Sequence, residues 1–277
     1  MSIDRRIAQI ELNLQRYRDS FYGGEEDFIF VNIPDFHAEV YRHGVRRMRF
    51  KVVVGNNERV CDPETRKWRY PNATPVQWAN LEHIMLNPWW NVPNRIFEEE
   101  IAPHVAEPGW LAEHDYELYE RDGVTRARQR PSPNNALGRV KFIFPNPHST
   151  FMHDTPLKQY FEYPVRPFSH GCVRVHEPLE LAAYLMTEYD HGGRERMDRI
   201  LEAGSTIKIE FEAQIPVYFE YYTVRIGDDG FANFLADPYH FDHTAPDGED
   251  PLTCVPAPPQ AEVLPIDEAA AGEPVDA

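Results

Sequence analysis

Cysteine is scarce in this chain: Cys61, Cys172 and Cys254 are the three among 277 residues. Three scattered thiols exclude a disulfide scaffold, although one pair, Cys61 with Cys254, can close in an oxidising compartment. Glycine is outnumbered by proline, 15 to 25, which points to a loop-rich, β-biased protein rather than a helical bundle. Basic residues are few beside acidic ones, 28 to 45, for a formal charge of −17. That balance argues against nucleic acid or an anionic membrane surface as the main partner. No run of apolar residues is long enough for a transmembrane segment. The start, MSIDRRIAQIELNLQRYRDS, also lacks the apolar stretch of a signal peptide. Internal repeats are absent too.

What the chain does hold is enough apolar material, 42% of its residues, to build a packed core. Ile3, Ile7, Ile10, Leu14 and Tyr17 recur at helical spacing and predict an amphipathic helix within residues 1–22, ended by Gly23-Gly24. DFIFVNI reads as a buried strand, and FHAEVYRHGVRRMRFKVVVG as a hairpin with Gly44 near its tip. Residues 56–80 are polar and proline-punctuated, hence loop. NRIFEEEIAPHVAEPGWLAEHDYELYER reads as short helices broken by Pro103 and Pro108. GRVKFIFP and STFMHDTP read as strands, LELAAYLMTEYD and GRERMDRILEAG as helices, and the stretch from Ser205 to Ala236 as closing strands. From about residue 243 the chain is rich in Pro, Ala and acid. Eight acids and no Lys or Arg follow Pro246, which predicts a disordered acidic tail over 243–277. Helices stand apart from strands rather than alternating with them, so the expected class is α+β and mainly β.

The chemistry concentrates at FSHGCVRVHEP, Phe168 to Pro178. A cysteine nucleophile needs a base, donors for an oxyanion and exposure, because the thiolate is the reactive form and a free thiol titrates near pH 8.5. Gly171 permits close backbone approach, amides around Gly171 and Cys172 can receive an oxyanion, and His153, His170 and His176 are candidate bases. Two other readings stand beside this one. Cys172 can be a small buried apolar residue, or a zinc ligand. His170 and Cys172 are two apart, and no C-x-x-C or H-x-x-x-H pair supports a metal site. No metal or cofactor is therefore expected.

SHGCVRV, with His153 upstream and fifteen residues between it and Ser169, resembles the two-part signature of the YkuD-domain L,D-transpeptidases. The words LNPWWNVP, LGRVKFIFPNP and MHDTP are similar to the long periplasmic, YcbB-like branch. The resemblance runs from the N-terminal helix to the strands near Phe234. It implies a YkuD-like β-sandwich of mixed sheets with a few helices. Residues 1–22 would be a remnant of a scaffold region, 25–242 the catalytic domain, and about 94–130 a helical or loop capping insertion. It implies a periplasmic or cell-envelope setting despite the lack of a signal peptide.

The resemblance further implies attack by a Cys172 thiolate on the bond between meso-diaminopimelate and D-Ala in a peptidoglycan tetrapeptide stem. The acyl group then passes to an amine of a second stem, forming 3–3 cross-links, or to a wall-tethered protein. His153 becomes the general base, with its ring held by the backbone carbonyl of Asp154. His170, Gly171 and Cys172 shape the oxyanion hole through main-chain amides, and the Ser169 and His170 side chains brace the loop. Arg174 is a candidate for pairing with a stem carboxylate, against a plain structural ion pair. Adjacent tryptophans on a strand face opposite ways, so one of Trp89 and Trp90 is expected in a core. Trp90 is the candidate for lining the cleft. The alternatives are hydrolysis of the same thioester, as L,D-carboxypeptidase or amidase, and a non-catalytic wall-binding module.

Overall fold

The computed structural model describes residues 2–242 and 253–254, and the expected acidic tail otherwise lies outside the described residues. Helix α1 (Ile3–Asp19) opens on a Ser2 cap whose hydroxyl accepts from the Arg5 amide at 3.3 Å. Its orientation departs from the apolar pattern. Ile3 is 76% exposed and Ile7, Leu14 and Tyr17 also face solvent, while Gln9 and Asn13 are buried. The surface that receives the helix is bare backbone around Thr223, just past the end of a strand, and bare backbone needs hydrogen-bonding partners. Asn13 supplies them: Oδ1 accepts from the Thr223 and Val224 amides at 2.8 and 3.2 Å, and Nδ2 donates to Thr223 Oγ1 at 2.8 Å. Arg16 adds an ion pair to Asp242 at 2.7 Å.

Strands β1 (Phe28–Asn32), β2 (His37–Arg42) and β3 (Val45–Gly55) follow, with the β2–β3 hairpin turning through His43 and Gly44, both at positive φ. The polar stretch expected as loop instead contains a small hairpin, β4 (Val60–Cys61) with β5 (Trp68–Arg69). Cys61 there is bonded to Cys254, and the Cys254 amide donates to the Arg66 carbonyl at 2.8 Å. Next come β6 (Gln77–Leu86) and β7 (Trp90–Asn91).

The insertion expected as broken helices is only half helical. Short α2 (Asn94–Ile96), a π-helical turn over Phe97–Ile101 and α3 (Trp110–Glu113) lead into a hairpin of β8 (Tyr116–Arg121) and β9 (Val124–Gln129). Asp122 and Gly123 both take positive φ at its tip, as an Asp-Gly hairpin turn requires. That dipeptide was the missed signal. With β7 the hairpin makes a three-stranded sheet over a small separate core of Val92, Ile96, Ile101 and Ala127.

The remaining elements are β10 (Val140–Ile143), β11 (Met152–His153), β12 (Pro167–Ser169), β13 (Val173–Val175), α4 (Pro178–Glu188), α5 (Gly193–Ala203) and β14 (Ile207–Glu220). A last hairpin, β15 (Val224–Ile226) with β16 (Ala232–Phe234), completes them. The main sheet is mixed, ordered β12-β3-β13-β11-β10-β6-β14-β1-β2. A further pairing of β2 with β3 closes it into a ring, so the layers of the expected sandwich are continuous with one another. Val140, Phe142, Met152, Val173, Ile84 and Ile209 line its buried face together with Leu181, Leu185 and Met186 of α4. Pro178 at the first turn of α4 suits a position whose amide needs no helical partner. The protein is mainly β with few helices.

Because α1 docks by amide chemistry, Asn13→Ala is expected to cost about 1–3 kcal/mol by stranding buried donors. Ile7→Ser on the exposed side is expected to stay within about 0.5 kcal/mol. Urea unfolding of the two variants checks the contrast.

Candidate active site

Strand pairing assembles the site. Strands β11 and β13 run parallel with Met152 opposite Val173 and His153 opposite Arg174. On the other side of β11, Lys141 of β10 lies opposite His153. Directly opposed residues project to the same face of a sheet, so Lys141, His153 and Arg174 form one row. Met152 and Val173 point the other way, fully buried in the core. Side-chain alternation then puts Cys172 and Phe151 on the same face as the row. Cys172 is the free cysteine of the described residues and is half-buried.

The loop that ends in Cys172 is stapled internally. Ser169 Oγ donates to the Cys172 carbonyl at 2.5 Å and accepts from the Gly171 amide at 3.1 Å. Gly171 has φ +116°, a conformation that a side chain resists. Beneath the loop, Thr74 Oγ1 donates to the Gly171 carbonyl and accepts from the Gly55 amide, both at 2.8 Å. Tyr239 donates to the Gly55 carbonyl at 2.7 Å, which ties this shelf to the segment that follows β16. His170 is engaged by the insertion: its Nε2 lies 3.0 Å from Glu100 Oε1. A second contact joins the insertion to this shelf, from the Arg95 guanidinium to Asn72 Oδ1.

His153 is buried, and its Nδ1 donates to the backbone carbonyl of Asp154. With that nitrogen committed, Nε2 carries the lone pair. Asp154 is itself clamped, its carboxylate accepting from the Arg139 amide at 2.8 Å, the Thr155 amide at 2.7 Å and Lys158 Nζ. Gly138 allows that clamp: at φ +58° it has no Cβ, and one would lie 2.3 Å from the Asp154 carboxyl carbon. Burial and the charge of Arg174, joined by Lys141 and Lys158, push the imidazole pKa down to about 3, against the bond to the Asp154 carbonyl. Burial pushes the Cys172 thiol up, opposed by a backbone hydrogen bond at Phe151 and by the charges of Lys141 and Arg174. The resting pair is therefore a neutral thiol and a neutral imidazole.

Arg174 is mostly enclosed, with Nε and Nη1 buried and unpartnered among the described residues. Its guanidinium lies 5.9 Å from the centre of the Tyr160 ring. No carboxylate lies within ion-pair distance of it among the described residues, so the plain structural ion pair is not formed. Trp90 sits in the small sheet of the insertion and packs on that unit's own core, 6.3 Å from the Tyr116 ring. His176 packs against Phe161 at 5.0 Å. Among the described residues, no group of three His, Cys, Asp or Glu side chains could hold a metal ion. The residue that sequence reasoning passed over is Lys141. The signal was available, since a charged residue inside VKFIF breaks an otherwise apolar strand.

Comparison with known proteins places the chain in a family. The model of the YkuD L,D-transpeptidase catalytic domain matches residues 26–209. A Haemophilus influenzae protein described as a candidate L,D-transpeptidase is 31% identical over 263 residues, covering 87% of this chain and 50% of its own length. The chain thus spans about half the length of that curated relative. Among solved structures, the catalytic domain of an Enterococcus faecium L,D-transpeptidase is similar over 71% of this chain and 99% of its own, with 12% identity and a TM-score of 0.33. An L,D-transpeptidase from Mycobacterium smegmatis is similar over 71% of this chain and 59% of its own, with 11% identity and a TM-score of 0.32.

A histidine held neutral in the fold titrates lower there than in the unfolded chain, where its value is near 6.5. As pH falls below that value the unfolded state takes the proton first, so His153 draws stability out of the fold by about 1.4 kcal/mol per pH unit down to about pH 3. Above pH 6.5 the effect vanishes. Urea midpoints at pH 7 and pH 5 are expected to differ less in His153→Gln than in the wild type, by one proton's worth of slope. A second expectation concerns the staple: Ser169→Ala is expected to lower stability by about 1–3 kcal/mol through the stranded Gly171 amide, read in the same denaturation.

Proposed function

Since the chain belongs to the YkuD family of L,D-transpeptidase catalytic domains, which acts on peptidoglycan, we propose that it transfers a stem-peptide acyl group through a thioester on Cys172. The observation that carries this reading is the parallel register of β11 on β13. It sets a buried histidine, its Nδ1 already committed, beside the strand that Cys172 opens. In the proposed first half, Cys172 Sγ attacks the carbonyl carbon linking meso-diaminopimelate to D-Ala while its proton passes to His153 Nε2. The carbonyl electron pair moves onto oxygen. The Gly171 amide is engaged by Ser169, so the oxyanion is assigned to the amides of His170 and Cys172. When the tetrahedral species collapses, the C–N bond breaks and the departing D-Ala amine takes the proton from His153. An acceptor amine then attacks the thioester, yields a proton to His153 and expels the thiolate, which recovers that proton.

The neutral resting pair suits this sequence. A base with a pKa of about 3 does not hold a proton at neutral pH, so it is always ready to accept one. Transfer to it is favourable only when sulfur is bonding to carbon, which couples deprotonation to attack. Arg174, with two unpartnered buried nitrogens, is the proposed seat for a stem carboxylate. The Cys61–Cys254 bond supports an oxidising setting such as the periplasm. No described helix is long and apolar enough to cross a membrane.

A carbapenem is expected to add one covalent mass to the wild-type protein and none to Cys172→Ala. His153→Gln is expected to slow that acylation by about 10²–10⁴-fold. Intact-mass spectrometry over time reads both, and a wild type without adduct overturns the reading. Digested sacculi separate transfer from hydrolysis: new cross-linked dimers are expected, and tripeptides without dimers would select the carboxypeptidase.

A further inference from the structure

We infer that Lys141 is a positioning residue for Cys172, a fixed positive charge set behind the thiol to stabilise the thiolate as it forms. This rests on the acyl-transfer reading, in which sulfur must carry charge. Lys141 heads the row of side chains that continues through His153 to Arg174, on the face where Cys172 projects. Its ammonium is held by a ring, with Nζ 3.4 Å from the centre of Phe151. That ring lies 5.8 Å from the His153 imidazole. Phe151 and Cys172 are also joined through the Phe151 backbone. No carboxylate lies within ion-pair distance of Nζ among the described residues.

An ammonium enclosed in protein normally has an anionic partner, because leaving water uncompensated is costly. An aromatic face offsets only part of that cost. Burial accordingly lowers the Lys141 pKa, and the one opposing influence upon it is Cys172. His153 is neutral and cannot serve as the missing anion, and Arg174 is a second cation. The anion that completes the arrangement is the sulfur itself, present only once its proton has left. Lys141 thereby favours the thiolate and at the same time disfavours a standing imidazolium on His153. It selects the anionic sulfur without creating a resting ion pair.

The test is the pH dependence of Cys172 alkylation by iodoacetamide in the full chain, followed by intact mass. The other groups that bear on the thiol and on His153 are Arg174 and Lys158, with Tyr160 and Glu100 acting through Arg174. All of them stay in place in the variants. Lys141→Met keeps an unbranched side chain only one atom shorter and removes its charge. Its alkylation midpoint is expected to rise by about one pH unit, and its rate at pH 7 to fall about tenfold. Lys141→Arg is expected to remain near the wild-type profile, a rescue that packing alone would not produce. Lys141→Gln serves as a second neutral variant if the methionine protein does not fold. An unchanged midpoint in a folded neutral variant overturns the assignment. A Lys141-dependent midpoint in a protein that takes no carbapenem would instead sink the acyl-transfer reading and leave the assignment standing.

Discussion

The short parallel contact between β11 and β13 carries more than its size suggests, because each of its two residue pairs faces a different way. Met152 and Val173 point into the core and are fully buried, so apolar packing holds the register. His153 and Arg174 point to the opposite face, where the same register sets the histidine directly opposite Arg174, two residues past Cys172. A slip by one residue would send His153 into the apolar layer and Met152 to the thiol. The chemistry is thus positioned by hydrophobic burial on the reverse side of the same strands.

Around that contact the structure spends polar groups on rigidity. Ser169 closes the cysteine loop on itself, Thr74 and Tyr239 support it from below, and the Asp154 carboxylate gathers two amides and Lys158 next to the histidine. None of these groups needs to exchange a proton. Their hydrogen bonds fix backbone whose own amides and carbonyls are out of sheet register, and buried backbone must be satisfied somewhere. The helix α1 follows the same logic at the far end, where Asn13 completes the backbone at Thr223.

Electrostatically the site is poor in anions. Lys141 and Arg174 flank a neutral imidazole and a neutral thiol, and neither cation has a carboxylate partner among the described residues. Eight of the 45 acids follow Pro246, where no Lys or Arg offsets them. A cationic, enclosed patch in a strongly acidic protein is a local contrast that favours negative charge arriving or developing at that place. The insertion touches the rim of this patch through Glu100, whose Oε1 lies 3.0 Å from His170 Nε2.

Much of this was legible in the chain itself. Local signals were strong for the β2–β3 hairpin, for α4 behind Pro178, and for the two-part cysteine and histidine motif. The Asp-Gly turn of β8–β9 was legible but outweighed by the prolines before it. The outward turn of the apolar side of α1 was not legible, because helical periodicity records which residues share a face and not what surface awaits them. Lys141 was marked as a charge inside an apolar strand, but its place beside His153 was not legible, because only strand pairing unites them. By itself the sequence determined the residue types, the spacing of the motif, a mainly β class and a cysteine pair able to bond. Tertiary structure alone decided that β10, β11 and β13 lie side by side with Lys141, His153 and Arg174 in one row. Parallel pairing joins segments that have no local contact, and its register is set by burial across the whole sheet.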